Sequence, residues 1–244
     1  ACSDEYSDIN SRRYHAQPVC CNDCGPELYT LVGRASESDV QDMGTDSGRP
    51  EGAYGAAALL ETRAVIRNGG IAAIKGIGGF HLCCDAANEA AVQRLRQLKA
   101  RPMKPFAVMM RDLEVVGREC RLEPEMEPLL TGPQKPIILI PRRDDSAAPE
   151  NADSKITDFR IAASVAPDNP NLGVMLPYTP VHLLLFNYPD DEPISDVLVM
   201  TSGNPSGAPI CMNDEEALKY LSPMCDIILS NSRDIRIRAD DTVM

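Results

Sequence analysis

The stretch IAAIKGIGGFHLCCDAANEAAVQRLRQLKARPMKPFAVMM (71–110) decides the fold class. It opens on IAAIKGI, a short continuous apolar run that predicts a buried strand. A glycine-rich turn follows, read as leading from strand to helix. Asp85 is placed to cap that helix, which turns Val92, Leu95 and Leu98 inward and sends Arg94, Arg96 and Lys99 elsewhere. Two prolines then break the chain before PFAVMM (105–110), the next strand candidate. The alternation extends outward in both directions. Upstream, a helical face with Leu59, Leu60 and Ile66 stops at Asn68-Gly69-Gly70, a left-handed cap. Downstream, PIILI (136–140), LGVML (172–176), VLVMTS (197–202) and CDIILS (225–230) predict further strands. Asn213 with Glu216 three residues later opens the helix EEALKYL in the manner of a capping box. Strands apolar throughout, rather than alternating, imply a sheet covered on both faces. The expected architecture is a layered α/β domain on a mixed sheet.

Composition agrees. The 244 residues are 43% apolar and 25% charged, which excludes collagen-like, disordered and coiled-coil classes. A net charge of −12 works against non-specific attachment to nucleic acid or anionic lipid. No run approaches the ~20 apolar residues of a membrane helix, and no signal peptide opens the chain. The nine cysteines are an odd number, four of them before residue 25, which fits a reducing compartment and a cytoplasmic location. Residues 1–30 are cysteine-rich and core-poor, 31–51 have linker chemistry, and 52–244 carry the alternating pattern.

Five constellations carry candidate chemistry. Cys21 and Cys24 have C-x-x-C spacing, and Cys2 lies upstream across a polar segment. Zinc needs four thiolate or imidazole ligands, so one is missing; His15, Cys20 or a residue outside the chain would supply it. KGIGGFH (75–81) sets Lys75 beside glycines that let the backbone approach an anion, although a tight strand-to-helix turn is the commoner explanation of such a string. His81 and His182, taken singly, fit structural roles. Lys99, Arg101 and Lys104 lie where a helix ends between prolines, a combination suited to polyphosphate or carboxylate as well as to a solvated helix end. VMTSGNPSG (199–207) puts Ser202 and Asn204 at a strand end, where α/β sheets bind ligands. RADDTV (238–243) offers Arg238 and Thr242 to phosphate, and alone reads as an edge strand.

Together these strings resemble the HypF family, the hydrogenase-maturation carbamoyltransferases, in the end of the zinc-finger region and the YrdC-like domain. RRYHAQP (12–18), C-x-x-C-G-P (21–26), KGIGGFHLCCDA (75–86), KARPMKPF (99–106), LGVMLPYTPVH (172–182), MTSGNPSG (200–207) and RADDTV (238–243) carry the resemblance. It implies a YrdC-like twisted mixed sheet covered by helices, preceded by a small zinc-finger module. Cys2 matches the second cysteine of an opening pair and Cys21 and Cys24 the closing pair, which makes the chain look like an internal fragment. The acylphosphatase and C-terminal transferase domains of the family would lie elsewhere in the polypeptide. The implied reaction is attack of carbamate, released from carbamoyl phosphate, on the α-phosphate of ATP with Mg²⁺, giving carbamoyl-adenylate and pyrophosphate. The carbamoyl group would then pass to the partner HypE. In that reading Lys99 and Arg101 are catalytic. Lys75, Gly78, Gly79, Phe80, His81, Lys104, Ser202, Asn204, Arg238 and Thr242 bind the nucleotide or the adenylate, and Cys2, Cys21 and Cys24 hold structural zinc.

Two other readings remain. A TsaC-like threonylcarbamoyl-AMP synthase shares the K-x-R and S-x-N-x-S-G patterns. Such an enzyme usually carries a Pro-Thr-rich segment where KGIGGFH stands, and an arginine before the x-Pro step where Met175-Leu176-Pro177 stands. A double-stranded-RNA-binding module is disfavoured by the net charge.

Overall fold

The computed structural model describes residues 2–15, 25–31, 52–143, 161–189 and 191–244. Cys20, Cys21 and Cys24, and the linker beyond Leu31, lie outside the described residues. The elements run α1 (Cys2–Ser7), β1 (Leu28–Leu31), α2 (Ala56–Arg67), β2 (Ala72–Lys75), β3 (Phe80–Asp85), α3 (Glu89–Leu98), β4 (Ala107–Met110), α4 (Leu113–Glu119), α5 (Glu127–Thr131), β5 (Ile138–Pro141), β6 (Asn171–Met175), α6 (Pro180–Phe186), β7 (Val197–Ser202), α7 (Asp214–Leu221) and β8 (Ile227–Asn231).

The eight strands form one sheet in the order β1-β8-β2-β3-β7-β4-β6-β5. The β2–β8 and β4–β6 pairs are parallel and the others antiparallel, so the sheet is mixed as expected. Alternate residues of the interior strands serve two separate cores. Ala73, Phe80, Leu82 and Cys84 pack with Val92, Leu95 and Leu221 on one face. Ala72, Ile74 and Cys83 pack with Leu59, Ile66 and Leu185 on the other. Double coverage is why these strands run mostly apolar instead of alternating with polar residues. Each fully buried Leu or Ile contributes about 1.5–3 kcal/mol. Cys83, Cys84, Cys120, Cys211 and Cys225 are buried and form no disulfide. Burial pushes their thiols up, to about 12 for Cys120 and Cys225, so they act as small apolar side chains.

Several local expectations need correction. KGIGGFH does not lead into a helix: it closes a hairpin, with Gly76 N–H donating to Gly79 O at 2.8 Å, and FHLCCD is strand β3. Consequently Asp85 ends a strand and accepts from Ala87 N–H at 2.8 Å, while Asn88 caps α3 by accepting from Ala91 N–H at 3.1 Å. Arg96 and Lys99 are not outward; both are buried. Asn213 caps α7 as expected, yet Glu216 reaches back to Met212 N–H. Segment 238–243 is no strand; only Val243 bridges, to Ile137. Residues 28–31 pair with β8 as the sheet's edge, although the sequence pattern divides them between finger and linker. Gly69 takes the left-handed conformation (φ 80°) that the Asn68-Gly69-Gly70 stop requires. Among the described residues no helix is long and apolar enough to cross a membrane.

Candidate functional site

The registers Lys75↔Phe80 and His81↔Ser202 bring the ends of β2 and β7 to one end of the sheet's middle strands, beside the start of β3. The chain enters β4 at the same end, since Ala107 pairs with Met200. Here the corner after α3 supplies its cations.

That corner is built by Arg96. Its guanidinium donates to the carbonyls of Arg101 (2.7 Å), Pro102 (3.2 Å), Lys104 (3.1 Å) and Val165 (3.1 Å), and also to Ser164 O. It lies over the Phe106 ring, 4.5 Å from the centroid, with Arg101 over the same ring at 5.3 Å. The path turns through Ala100, held in the left-handed region at φ 47°. Lys99 and Arg101 are thereby aimed at the end of β7. Lys99 Nζ donates to Asn204 Oδ1 at 3.0 Å, Asn204 O at 3.2 Å and Ser202 O at 2.5 Å. An ammonium has three donors, so all three are engaged. Burial first, then neighbouring Arg101, lowers the Lys99 pKa to about 8. Arg101 donates to Pro105 O at 2.8 Å and Thr201 Oγ1 at 3.3 Å, while its Nε is buried without a partner.

Ser202 donates to Asn204 Oδ1 at 2.8 Å, closing the turn on itself. Gly203 must be glycine: a Cβ would come 2.6 Å from Phe80 O, the oxygen its own N–H donates to. The hairpin glycines are crowded in the same way. A Cβ on Gly78 would meet Ala239 O at 2.3 Å, and one on Gly79 would meet Ile210 at 2.6 Å. Lys75 is nearly buried, donating to Asn231 O at 2.9 Å with Asp214 at 3.7 Å. Arg238 donates to Ile210 O at 2.9 Å and pairs with Glu216.

His81 points to the α6 side. Its Nε2 lies 3.0 Å from Asp241 Oδ2, and its Nδ1 is buried without a partner. Tyr178 donates to Asp241 Oδ1 at 3.5 Å. Behind them His182 is fully buried, its ring edge-on to Tyr178 and His81, with neither nitrogen bonded. Burial chiefly, and His81 next, push its pKa down to about 3.

The structure thus gathers Lys75, Gly78, Gly79, His81, Lys99, Arg101, Ser202, Asn204 and Arg238 at one end of the middle strands and on the segment that covers it. Phe80 departs from the expectation: its ring is wholly buried in the α3-side core, and its backbone is taken by Cys211 and Gly203. Lys104 is exposed, and only its carbonyl joins the corner. Thr242 is exposed and holds Ile137 N–H through its carbonyl at 2.8 Å. Sequence reading missed Arg96, Tyr178, His182 and Asp241 as members of this region. The Asp240-Asp241 pair within RADDTV is the one sequence signal that pointed there. Of the cysteine set, Cys2 is described: it is buried at the start of α1, whose other residues are exposed.

Comparisons with known proteins match two stretches of the chain. The Sua5–YciO–YrdC family, described as Telomere recombination, matches residues 64–244, and the HypF finger matches residues 1–31. The carbamoyltransferase HypF of Rhodobacter capsulatus is 42% identical over the whole chain, which covers 28% of that protein. The probable carbamoyltransferase HypF of Methanocaldococcus jannaschii is 30% identical, again over the whole chain and 34% of the relative. The chain therefore spans about a third or less of the length of these curated relatives. A crystal structure of full-length HypF in the phosphate- and nucleotide-bound form superposes with a TM-score of 0.76 at 42% identity, covering 99% of this chain and 27% of that one.

Proposed function

The chain belongs to the Sua5–YciO–YrdC family, in the HypF form that carries a HypF finger ahead of that domain, and we propose that it forms carbamoyl-adenylate from carbamate and ATP. A carbamate oxygen attacks the α-phosphorus, the bond to the β-phosphate oxygen breaks, and pyrophosphate leaves with that electron pair. Carbamate is already anionic, so no general base is needed, and positioning supplies most of the rate. The substrate enters as ATP with Mg²⁺.

The observation that carries this reading is the buried, unpartnered Arg101 Nε beside a Ser202–Asn204 turn already tied down by Lys99. Arg101 is the donor left for a phosphoryl oxygen. Lys99 spends its hydrogen bonds on the turn and contributes its charge. Ser202 and Asn204 orient the α-phosphate or ribose, Arg238 and Thr242 take phosphate oxygens, and Lys75 with Gly78 and Gly79 borders the carbamate end. His81 lines the pocket.

In the whole protein we assign the release of carbamate from carbamoyl phosphate to the acylphosphatase domain, and passage of the carbamoyl group to HypE to the transferase domain. Cys2, Cys21 and Cys24 are read as zinc ligands. A buried cysteine on an otherwise exposed helix fits a ligand better than a core residue, and the metal's role there is to fold the finger.

The test uses full-length protein with ATP, Mg²⁺ and carbamoyl phosphate, and identifies adenylates by mass. Carbamoyl-adenylate is expected. A threonylcarbamoyl-adenylate, formed when bicarbonate and L-threonine are supplied instead, would transfer the assignment to the tRNA-modifying class. If Met175 and the KGIGGFH hairpin shape a pocket for a small carbamate, threonine's carboxylate would be left desolvated and unpaired, at a cost of roughly several kcal/mol.

A further inference from the structure

We propose that Asp241 is a positioning residue for this site, seating the 238–244 segment against the end of the sheet by accepting hydrogen bonds from His81 and Tyr178. The inference rests on the nucleotide reading above and extends it to residues that reading does not use. The segment is pinned at both ends by backbone: Ala239 N–H donates to Gly78 O at 3.1 Å, and Met244 N–H to Ile137 O at 2.8 Å. Between those pins Asp241 is the side chain that turns inward. His81 Nε2 at 3.0 Å and Tyr178 Oη at 3.5 Å converge on its two carboxylate oxygens.

The seat is prepared by buried aromatic groups. His81 is 3% exposed and His182 0%, and their rings meet edge-on with centroids 6.4 Å apart. His81 Nδ1 and both nitrogens of His182 find no partner, so among the described residues the contact to Asp241 is the one hydrogen bond made by this pair of rings. With Nε2 donating to the Asp241 carboxylate, the His81 ring is held in one orientation.

What makes this more than a structural clasp is where His81 stands. It lies directly opposite Ser202, whose carbonyl oxygen holds Lys99. On its other side, the segment that Asp241 seats places Arg238 across Ile210 and Ala239 against Gly78. One carboxylate therefore sets the distance between the Lys99–Ser202 cradle and Arg238.

The experiment compares full-length wild type, Asp241→Asn and Asp241→Glu, reading KM for ATP, kcat for adenylate formation, and amide exchange at Ala239 and Met244. For Asp241→Asn we expect KM to rise about tenfold, the loss of one charge-assisted hydrogen bond, with kcat within about twofold of wild type. Exchange at Ala239 and Met244 should quicken while Leu82 and Val199 stay protected, and Asp241→Glu should recover part of the KM. If Asp241→Asn does not fold, Tyr178→Phe, which removes only the longer bond, should move both readouts in the same direction by less. Faster exchange with an unchanged KM overturns the positioning role, as does a loss confined to kcat. If wild type forms no adenylate the nucleotide reading fails, and unchanged exchange in Asp241→Asn would separately overturn the seat.

Discussion

The ammonium of Lys99 stands 3.0 Å from the side-chain oxygen of Asn204 and 3.2 Å from that residue's carbonyl oxygen, tying the end of α3 to the turn after β7. Its pKa falls to about 8, through burial first and Arg101 second. Below that pH it is charged in both folded and unfolded chains. Between about 8 and roughly 10.4, the unfolded value, the unfolded chain binds the extra proton, so this residue's contribution to stability rises with pH. Nucleotide binding should move the opposite way, because the cradle loses its charge. Titration calorimetry should find ATP affinity down about tenfold between pH 7 and 9, following the roughly one-tenth of ammonium left. Over the same window wild type should gain stability relative to Lys99→Met. An affinity constant to pH 9 would remove Lys99 from the site.

His182 gives the fold its own acid limb. Folded, its pKa lies near 3, pushed down by burial and by His81; unfolded, it is about 6.5. A depressed histidine contributes stability above the unfolded value and loses it as pH falls through the window down to the folded one. The slope is at most about 1.4 kcal/mol per pH unit for one proton. Urea midpoints measured from pH 7 to 4.5 should therefore fall in wild type and stay flatter in His182→Leu. Parallel curves for the two proteins would mean that the ring is not buried neutral.

The fold was legible where one physical pattern ruled. Strands covered on both faces are apolar throughout, and β7 appears in the sequence with its observed bounds, Val197–Ser202. Strand β3 was missed because FHLCCD follows glycines and ends on an aspartate, which imitates a turn and a helix cap. The cations of the site were legible as a cluster, because Lys99 and Arg101 are neighbours in sequence. Their partners were not: Asp241 meets His81 across 160 residues, and Arg96 is indistinguishable in sequence from a solvated helix arginine until Ser164 and Val165 are packed beside it.

Gly203 and Gly207 should separate space from conformation. Gly203→Ala drives a methyl to within 2.6 Å of Phe80 O, a backbone atom, so the turn and the start of β3 must part. A cost of about 1–3 kcal/mol and a fall in ATP affinity are expected, since overpacking at this point displaces Ser202 and Asn204. Gly207→Ala meets nothing within 4 Å, but it holds a residue at φ +80°. It should cost only about 1–2 kcal/mol and leave ATP affinity unchanged. Paired urea melts and calorimetric titrations read both quantities, and equal effects on affinity would contradict the assignment of the 202–204 turn.

Arg96 and Arg101 lie over the same Phe106 ring yet should fail differently. Arg96 has its donors spread over five carbonyl oxygens, those of Ser164, Arg101, Pro102, Lys104 and Val165, so its work is structural. Arg96→Ala strips a charged donor from all of them and should cost about 3–5 kcal/mol, in the range for breaking a buried charged network. Arg96→Lys should not rescue it, because a point charge cannot reproduce the planar fork. Among the described residues Arg101 bonds only Pro105 O and Thr201 Oγ1, and it keeps a buried Nε without a partner. Arg101→Ala should therefore cost about 1–2 kcal/mol of stability, yet lower ATP–pyrophosphate exchange in the full-length protein by roughly one to two decades. Circular dichroism melts and exchange assays on the three variants decide it. Wild-type exchange in Arg101→Ala would show that no phosphoryl oxygen meets this guanidinium, and the adenylation site would have to be sought at another end of the sheet.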